Sequence, residues 1–292
     1  MYSSSRPRSL AVALVALSLA ACTDLAPSRE PAALTAPSAS ASRDRAPAGT
    51  LPQTVRQLAA ARGITPLPRA PRVRPALAHL GQALAFDRVL SGNRDIACAT
   101  CHLPSLATGD GRSLSVGEGA AGLGPTRLHP KGTFIARNAP PLFNLTAMRH
   151  LFWDGRVSVD AHGKFTTPAG AQLTPDMTRV FEFGAISSLA MFPVTNRAEM
   201  RSGTGNELAL IPDSDMRGIW SGIMRRLGEI PEYRGLFQAA YPGTKFKEMT
   251  FAHASNAIAG FLVAQYSTAD SPWDRFLAGN DAALTMHQLE DA

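Results

Sequence analysis

Two cysteines and a histidine stand together in the segment Cys98-Ala99-Thr100-Cys101-His102, which has the spacing C-x-x-C-H. Thiols three positions apart lie about one helical turn apart, so each can add to one of the two vinyl groups of a single porphyrin. The imidazole of the next residue then lies beneath the iron as an axial ligand. We therefore predict one covalently bound haem c, attached through Cys98 and Cys101 and ligated by His102.

Two other kinds of site use the same cysteine spacing. A zinc site needs two further Cys or His ligands at close spacing, and the third cysteine of the 292 residues is the distant Cys22. A thioredoxin-like dithiol belongs in a βαβ unit, which this sequence does not predict. Haem therefore accounts best for the motif.

The sixth ligand of the iron decides between electron transfer and peroxide chemistry. Two strong ligands make an electron carrier, whereas an open face lets peroxide bind. The residue types leave this choice open, because each candidate ligand has an ordinary surface or core interpretation as well. The candidates are His129, Met148, His150, His162, Met191 and Met200.

The N-terminus has the pattern of an export signal. Arg6 and Arg8 precede an apolar stretch over residues 10–19, and Leu19-Ala20-Ala21-Cys22 resembles a bacterial lipobox. We predict a lipoprotein signal peptide over residues 1–21 and a membrane anchor on Cys22, the alternative being an ordinary signal peptide with a chance cysteine. Thr23 after that cysteine favours the outer membrane, and haem c is attached outside the cytoplasm. The predicted location is the periplasmic side of the envelope.

The composition divides the remaining chain into a tether and a folded part. Of the 25 residues from 26 to 50, 16 are Ala, Pro or Ser. Such a segment has too few apolar groups to offset the entropy of ordering the chain, so residues 22–51 are predicted to be a disordered tether.

In the folded part, apolar spacing predicts helices over 75–87, 216–227 and 251–262, with a short one over 140–150. Residues 103–138 are Gly-rich and aperiodic, which predicts a long loop. A charge of +6 without a basic, aromatic-rich run excludes nucleic acid.

Several further motifs occur in a fixed order from residue 76 to the end. They are Leu80-Gly81-Gln82, Leu90-Ser91-Gly92, the haem motif, Thr108-Gly109-Asp110-Gly111, Ser115-Val116-Gly117, Arg137-Asn138-Ala139-Pro140, Phe152-Trp153-Asp154-Gly155-Arg156, Phe192-Pro193, Glu199-Met200 and Pro272-Trp273-Asp274-Arg275-Phe276. Together they resemble the N-terminal domain of the bacterial di-haem cytochrome c peroxidase and MauG-like family. The resemblance implies a mainly α, cytochrome c-like haem domain with long irregular loops over residues 52–280. Residues 281–292 would begin the linker to a second haem domain, which this chain does not include.

The resemblance also implies roles for single residues. Glu199 matches an acidic residue above the peroxide-binding haem, where a carboxylate could move a proton between the peroxide oxygens; its alternative is a helix-capping or solvated Glu. Phe152 matches an apolar pocket wall. Trp153 matches a tryptophan between the two haems. The alternative interpretation is that Trp153 is an ordinary side chain of the hydrophobic core. Asn138 matches half of a calcium site.

Three departures from the family pattern bear on function. Classical members have a histidine that ligates the resting haem iron at the position of Glu118 in this sequence. Its replacement fits a haem whose sixth position is already open, unless His129 is the ligand instead. Leu189 replaces a distal glutamine, and the segment over residues 157–198 is longer than in classical members. The favoured function is peroxidase-like reduction of hydrogen peroxide, with electrons from a small donor protein such as a cytochrome c or a cupredoxin. The alternatives are a MauG-like oxidase working through a high-valent haem and a non-enzymatic mono-haem electron-transfer lipoprotein.

Overall fold

The structure is a computed structural model that describes residues 49–129 and 132–292. The predicted signal peptide, Cys22 and all but the end of the predicted tether lie outside the described residues. The α-helices are α1 (Leu51–Ala61), α2 (Pro75–Phe86), α3 (Cys98–Cys101), α4 (Pro175–Thr178), α5 (Ala185–Leu189), α6 (Met216–Gly228), α7 (Pro231–Ala240), α8 (Phe251–Tyr266), α9 (Pro272–Leu277) and α10 (Met286–Glu290). Long irregular segments separate them, so the prediction of a mainly α fold with long loops is confirmed.

The centre of the core is the contact between α2 and α8. Leu77, Leu80 and Leu84 of α2 are fully buried, one turn apart along a single face. Helix α8 is buried on nearly every side because α5, α6 and α7 also surround the α2–α8 pair. Small residues such as Ala254 and Ala257 let the neighbouring helices approach closely. Because α8 has neighbours on nearly every side, it is apolar throughout rather than amphipathic.

Helix α6 presents the apolar stripe that its sequence predicts. Its buried face includes Ile219, Trp220, Ile223 and Leu227, and the indole Nε1 of Trp220 donates to the Met191 carbonyl at 2.8 Å. The N-terminus of α6 is capped by one side chain. Asp215 is the cap, because its carboxylate accepts the Gly218 N–H at 2.8 Å.

A small antiparallel sheet was missed by the sequence analysis. Strands β1 (His150–Leu151), β2 (Val157–Val159) and β3 (Phe165–Thr166) pair in the order β1-β2-β3. The predicted short helix over 140–150 is reduced to one 3₁₀ turn, Leu145–Ala147, followed by β1. Strands of two or three residues are too short to show an alternating pattern, so periodicity could not have found them.

The two ends of the described chain meet in a second, smaller apolar cluster. Val55 of α1, Phe276 of α9 and Leu289 of α10 are buried against one another. Residues 281–292, predicted to begin a linker, therefore include a helix that packs on α1. Across residues 49–129 and 132–292, no helix has the combination of length and apolarity that a bilayer span needs.

Candidate functional site

The two cysteines and the histidine of the C-x-x-C-H motif lie on one short helical turn. Ser91 Oγ accepts the backbone N–H groups of Asp95 and Ile96, which turns the chain into α3. At its C-terminal end the His102 N–H donates to the Cys98 carbonyl at 3.0 Å. Cys98 and Cys101 are both free thiols, half-buried against the main core. The structure therefore brings the predicted haem-binding residues together.

The imidazole of His102 is oriented by a backbone carbonyl. Its Nδ1 lies 2.9 Å from the Thr108 oxygen, and because a carbonyl can only accept, Nδ1 carries the proton. This leaves the Nε2 lone pair as the ligating position, the arrangement that metal-bound histidines use. Burial lowers the pKa of His102 below its ordinary value of 6.5, since the charged ring would lose solvation. The ring is thus held neutral, as a metal ligand must be.

An unusual turn places the Thr108 carbonyl against the ring. Ala107 and Thr108 have φ values of 52° and 63°, consecutive left-handed residues that cost roughly 1–2 kcal/mol each. Two hydrogen bonds hold the turn: Thr108 N–H donates to the Leu103 carbonyl at 2.8 Å, and Thr108 Oγ1 accepts the Leu142 N–H at 2.7 Å. Sequence reasoning did not identify Thr108, because its role depends on its backbone oxygen and not on its side-chain type.

The protonation state of the thiols separates this pair from a redox dithiol. Burial raises the pKa of both Cys98 and Cys101 to about 11, with the charge of Arg127 opposing the rise at Cys101. Redox-active C-x-x-C pairs instead need a lowered thiol pKa to form the thiolate. The donor set is two thiols on one turn beside an imidazole whose Nδ1 is bound to a carbonyl. These groups fit a covalently bound haem.

Glu199 is placed near the motif by a π-helical turn, Arg197–Arg201, whose first backbone N–H groups are capped by Asn196. Two loops hold this turn from either side. The Gly92 N–H donates to the Met200 carbonyl at 2.7 Å, and the Glu118 N–H donates to the Ala198 carbonyl at 3.2 Å. The first loop precedes the haem motif and the second follows it, so the backbone itself links Glu199 to the motif.

Glycine is required where both loops approach the turn. A Cβ added to Gly117 would lie 1.9 Å from the Ala198 carbonyl oxygen, and one added to Gly92 would lie 1.7 Å from that of Arg201. No side chain fits such spaces. The Leu-Ser-Gly and Ser-Val-Gly motifs of the sequence therefore owe their glycines to contact with the turn that carries Glu199.

The carboxyl group of Glu199 is half-buried and accepts a hydrogen bond from the Asn196 amide at 3.2 Å. Burial raises its pKa above the ordinary 4.5, and the positive charge of Arg156 opposes the rise. Arg156 lies over the ring of Phe152 at 3.9 Å, and Phe152 packs edge-on against Phe192 at 6.4 Å. Phe152 thus lies in the apolar surroundings that its predicted role as a pocket wall requires.

Trp153 and Asn138 lie at the surface. Trp153 is 80 % exposed, so the alternative interpretation as plain core is wrong; Arg137 stacks on its ring at 4.9 Å. The exposed Asn138 donates its amide to the Arg112 carbonyl. In the described ranges no three His, Cys, Asp or Glu side chains come together as an ion site. The calcium half-site at Asn138 stays a prediction.

The six candidates for the sixth iron ligand divide by burial. Met191 and Met200 are core residues with 0 % and 5 % exposure, whereas Met148, His129, His150 and His162 are exposed. His129 packs against the edge of Phe134 at 4.3 Å. Glu118, in the place of the family's histidine, accepts a hydrogen bond from the Asn93 amide.

Comparison with known proteins gives one family and several relatives. The family model described as di-haem cytochrome c peroxidase matches residues 75–282. A cytochrome-c peroxidase, IdrP2, from Pseudomonas sp. (strain SCT) is 26 % identical over 222 residues, covering 76 % of this chain and 45 % of the relative. The methylamine utilization protein MauG of Methylorubrum extorquens is 26 % identical over 75 % of this chain and 46 % of its own length. Cytochrome c551 peroxidase of Pseudomonas aeruginosa is 29 % identical over 72 % and 44 %.

The chain spans about half the length of these curated relatives. Among solved structures, a MauG-like protein associated with microbial copper homeostasis is similar with a TM-score of 0.45 at 24 % identity, over 76 % of this chain and 49 % of that one.

Proposed function

Because this chain belongs to the di-haem cytochrome c peroxidase family, we propose that it is a c-type haem oxidoreductase that reduces hydrogen peroxide with electrons from a small redox protein. Cys98 and Cys101 attach the haem and His102 ligates its iron. The observation that carries the proposal is the His102–Thr108 hydrogen bond, which places the proton on Nδ1 and makes Nε2 the ligating nitrogen beside the two thiols. The protein acts on the periplasmic side of the cell envelope, with Cys22 as the lipid anchor at the outer membrane.

The bound haem supplies an iron that exchanges single electrons and binds peroxide oxygen. The residues of this chain prepare its surroundings. Glu199, with a pKa raised by burial, can hold or release a proton at its carboxyl oxygens. Arg156, stacked on Phe152, brings a positive charge near Glu199 that favours the ionised carboxylate. The hydrogen bond from Nδ1 to Thr108 holds the His102 ring in one orientation.

The experiment begins with export of the protein in a host that matures c-type haem in its periplasm. Covalent haem is measured by the colour that stays with the denatured polypeptide, and peroxide turnover is followed with a reduced donor cytochrome c or cupredoxin. Cys98→Ser and Cys101→Ser should weaken covalent attachment. Glu199→Gln should keep normal haem content and slow peroxide turnover. A protein without covalent haem, or a Glu199→Gln variant with unchanged turnover, contradicts the corresponding part of the proposal.

A MauG-like oxidase is the second candidate, and Glu118 is the observation that favours it. The carboxylate at this position is hydrogen-bonded to Asn93 rather than being an imidazole available to iron. The visible spectrum separates the candidates. A high-spin ferric haem that reacts with peroxide agrees with either enzyme, and consumption of a donor protein selects the peroxidase. A low-spin haem that is indifferent to peroxide would instead indicate a mono-haem electron carrier.

Trp153, exposed beside Arg137, is the proposed point of electron entry.

A further inference from the structure

Asp110 is a fully buried carboxylate next to the haem motif. Its side chain is 0 % exposed. Oδ1 accepts the backbone N–H of Arg112 at 3.0 Å, whereas Oδ2 is buried without a hydrogen-bond partner among the described residues. Burying a carboxylate with one oxygen unpaired is costly, and a native structure that retains such a group calls for an explanation.

The backbone places Asp110 beside the haem motif. Leu103 and Gly109 form an isolated antiparallel bridge, with the Leu103 N–H donating to the Gly109 carbonyl at 3.0 Å. This pair brings the chain after Gly109 back beside the motif, and the charge of Asp110 is close enough to act on both His102 and Cys101. The same short connection supplies the Thr108 carbonyl that binds the His102 ring. The carboxylate and the proposed axial ligand thus belong to one rigid turn.

The cations nearest in the loops do not pair with Asp110. Arg112 donates its guanidinium N–H groups to the carbonyls of Leu114, Pro125 and Arg127. The guanidinium of Arg127 is likewise bound to the carbonyls of Val116, Gly117 and Gly122. Within the described residues, Asp110 makes no salt bridge with a basic side chain. Among the described residues, Asp110 therefore lies beside the motif without a bound basic side chain.

We propose that Asp110 is a positioning residue whose charge acts on the haem iron through His102 and holds the reduction potential of the iron low. The inference rests on the proposed haem site. Ferric iron carries one more positive charge than ferrous iron, so a nearby carboxylate stabilises the oxidised form. At an effective dielectric constant of about 20, one charge at such a site changes the ferric–ferrous equilibrium on the order of tenfold. For a one-electron couple, tenfold corresponds to about 59 mV.

The test is a spectroelectrochemical titration of the haem-loaded, exported protein. Asp110→Asn keeps an acceptor for the Arg112 N–H and removes the charge, so its potential should rise by about the tenfold shift. Asp110→Ser, a second neutral variant, should rise in the same direction, and Asp110→Glu should stay near the unmodified protein. Asp274→Asn is the matched control, because Asp274 is also a buried carboxylate, 7 % exposed, but it lies in the first turn of α9, where Ser271 donates to it.

Three results would overturn the inference. The first is an unchanged potential in both neutral Asp110 variants with haem bound. The second is an Asp110→Glu variant that shifts as much as Asp110→Asn. The third is loss of folding or of covalent haem in both neutral variants, since the charge would then serve the structure and not the potential. These results are distinct from failure of the proposed function, in which the unmodified protein itself carries no covalent haem.

Discussion

Gly117→Ala should displace Glu199 from the haem site while leaving the C-x-x-C-H turn intact. The added Cβ would lie 1.9 Å from the Ala198 carbonyl oxygen, whereas ordinary contacts begin near 3.4 Å. The loop and the π-helical turn must therefore separate by about 1.5 Å, the difference between these two distances. The hydrogen bond from the Glu118 N–H to that same oxygen would be lost or lengthened.

A misplacement of about 1 Å can lower a catalysed rate on the order of 100-fold, so peroxide turnover should fall by roughly that factor. Overpacking should also lower the free energy of unfolding by about 1–3 kcal/mol. The assay is stopped-flow peroxide reduction by haem-loaded protein, together with haem absorbance and urea denaturation. Gly235→Ala is the matched control: Gly235 lies in α7 and an added Cβ meets nothing within 4 Å. Its turnover should be normal and its stability slightly higher.

Equal turnover in Gly117→Ala and the unmodified protein, with haem content normal, would refute the reasoning. It would mean either that the loop moves without the π-helical turn or that Glu199 takes no part in the reaction. Glu199→Gln distinguishes these explanations. If that variant is slow while Gly117→Ala is normal, the carboxylate matters and the loop does not position it.

Three further predictions address stability and pH. Arg226→Ala should lower the free energy of unfolding by about 3–5 kcal/mol in urea denaturation, because the buried guanidinium binds three carbonyls in residues 89–92; the exposed neighbour Arg225→Ala should change it by less than about 0.5 kcal/mol. Burial lowers the pKa of His253 in the folded state below 6.5, so the unfolded chain takes up the proton first and stability should fall as pH drops below about 6.5; an equally steep fall in His253→Gln would contradict this. If ionised Glu199 accepts the peroxide proton, turnover should fall as pH decreases through its raised pKa, above 4.5, and this acid limb should vanish in Glu199→Gln pH–rate profiles.

The sequence was informative where one local rule decides the structure. The stripe of α6 is buried as its spacing predicts, since an amphipathic helix has one way to hide an apolar face. The C-x-x-C-H turn also follows from local geometry, because three residues on one turn need no distant partner to lie together. The short strands and the 3₁₀ turn at Leu145–Ala147 could not be predicted in this way, since tertiary contacts select them.

Features of the site that depend on backbone groups could not be predicted from the side-chain types in the sequence. Nothing in the side chain of Thr108 indicates that its carbonyl orients His102, and the fully buried Asp110 reads as an ordinary turn residue in a Gly-rich loop. Resemblance to a family pointed to Glu199, but the reason for its position is the pair of backbone bonds to Met200 and Ala198.

These backbone contacts explain why each of the two loops beside the haem motif has a glycine where it meets the turn that carries Glu199. The turn that carries Glu199 is π-helical and only five residues long, so its own hydrogen bonds cannot hold it rigidly. Rigidity has to come from neighbours, and the neighbours must approach to backbone contact, which requires Gly92 and Gly117. Because one of these loops leads into Cys98 and the other follows His102, the backbone contacts of Gly92 and Glu118 join the haem-binding turn to the turn of Glu199 from both sides of the motif.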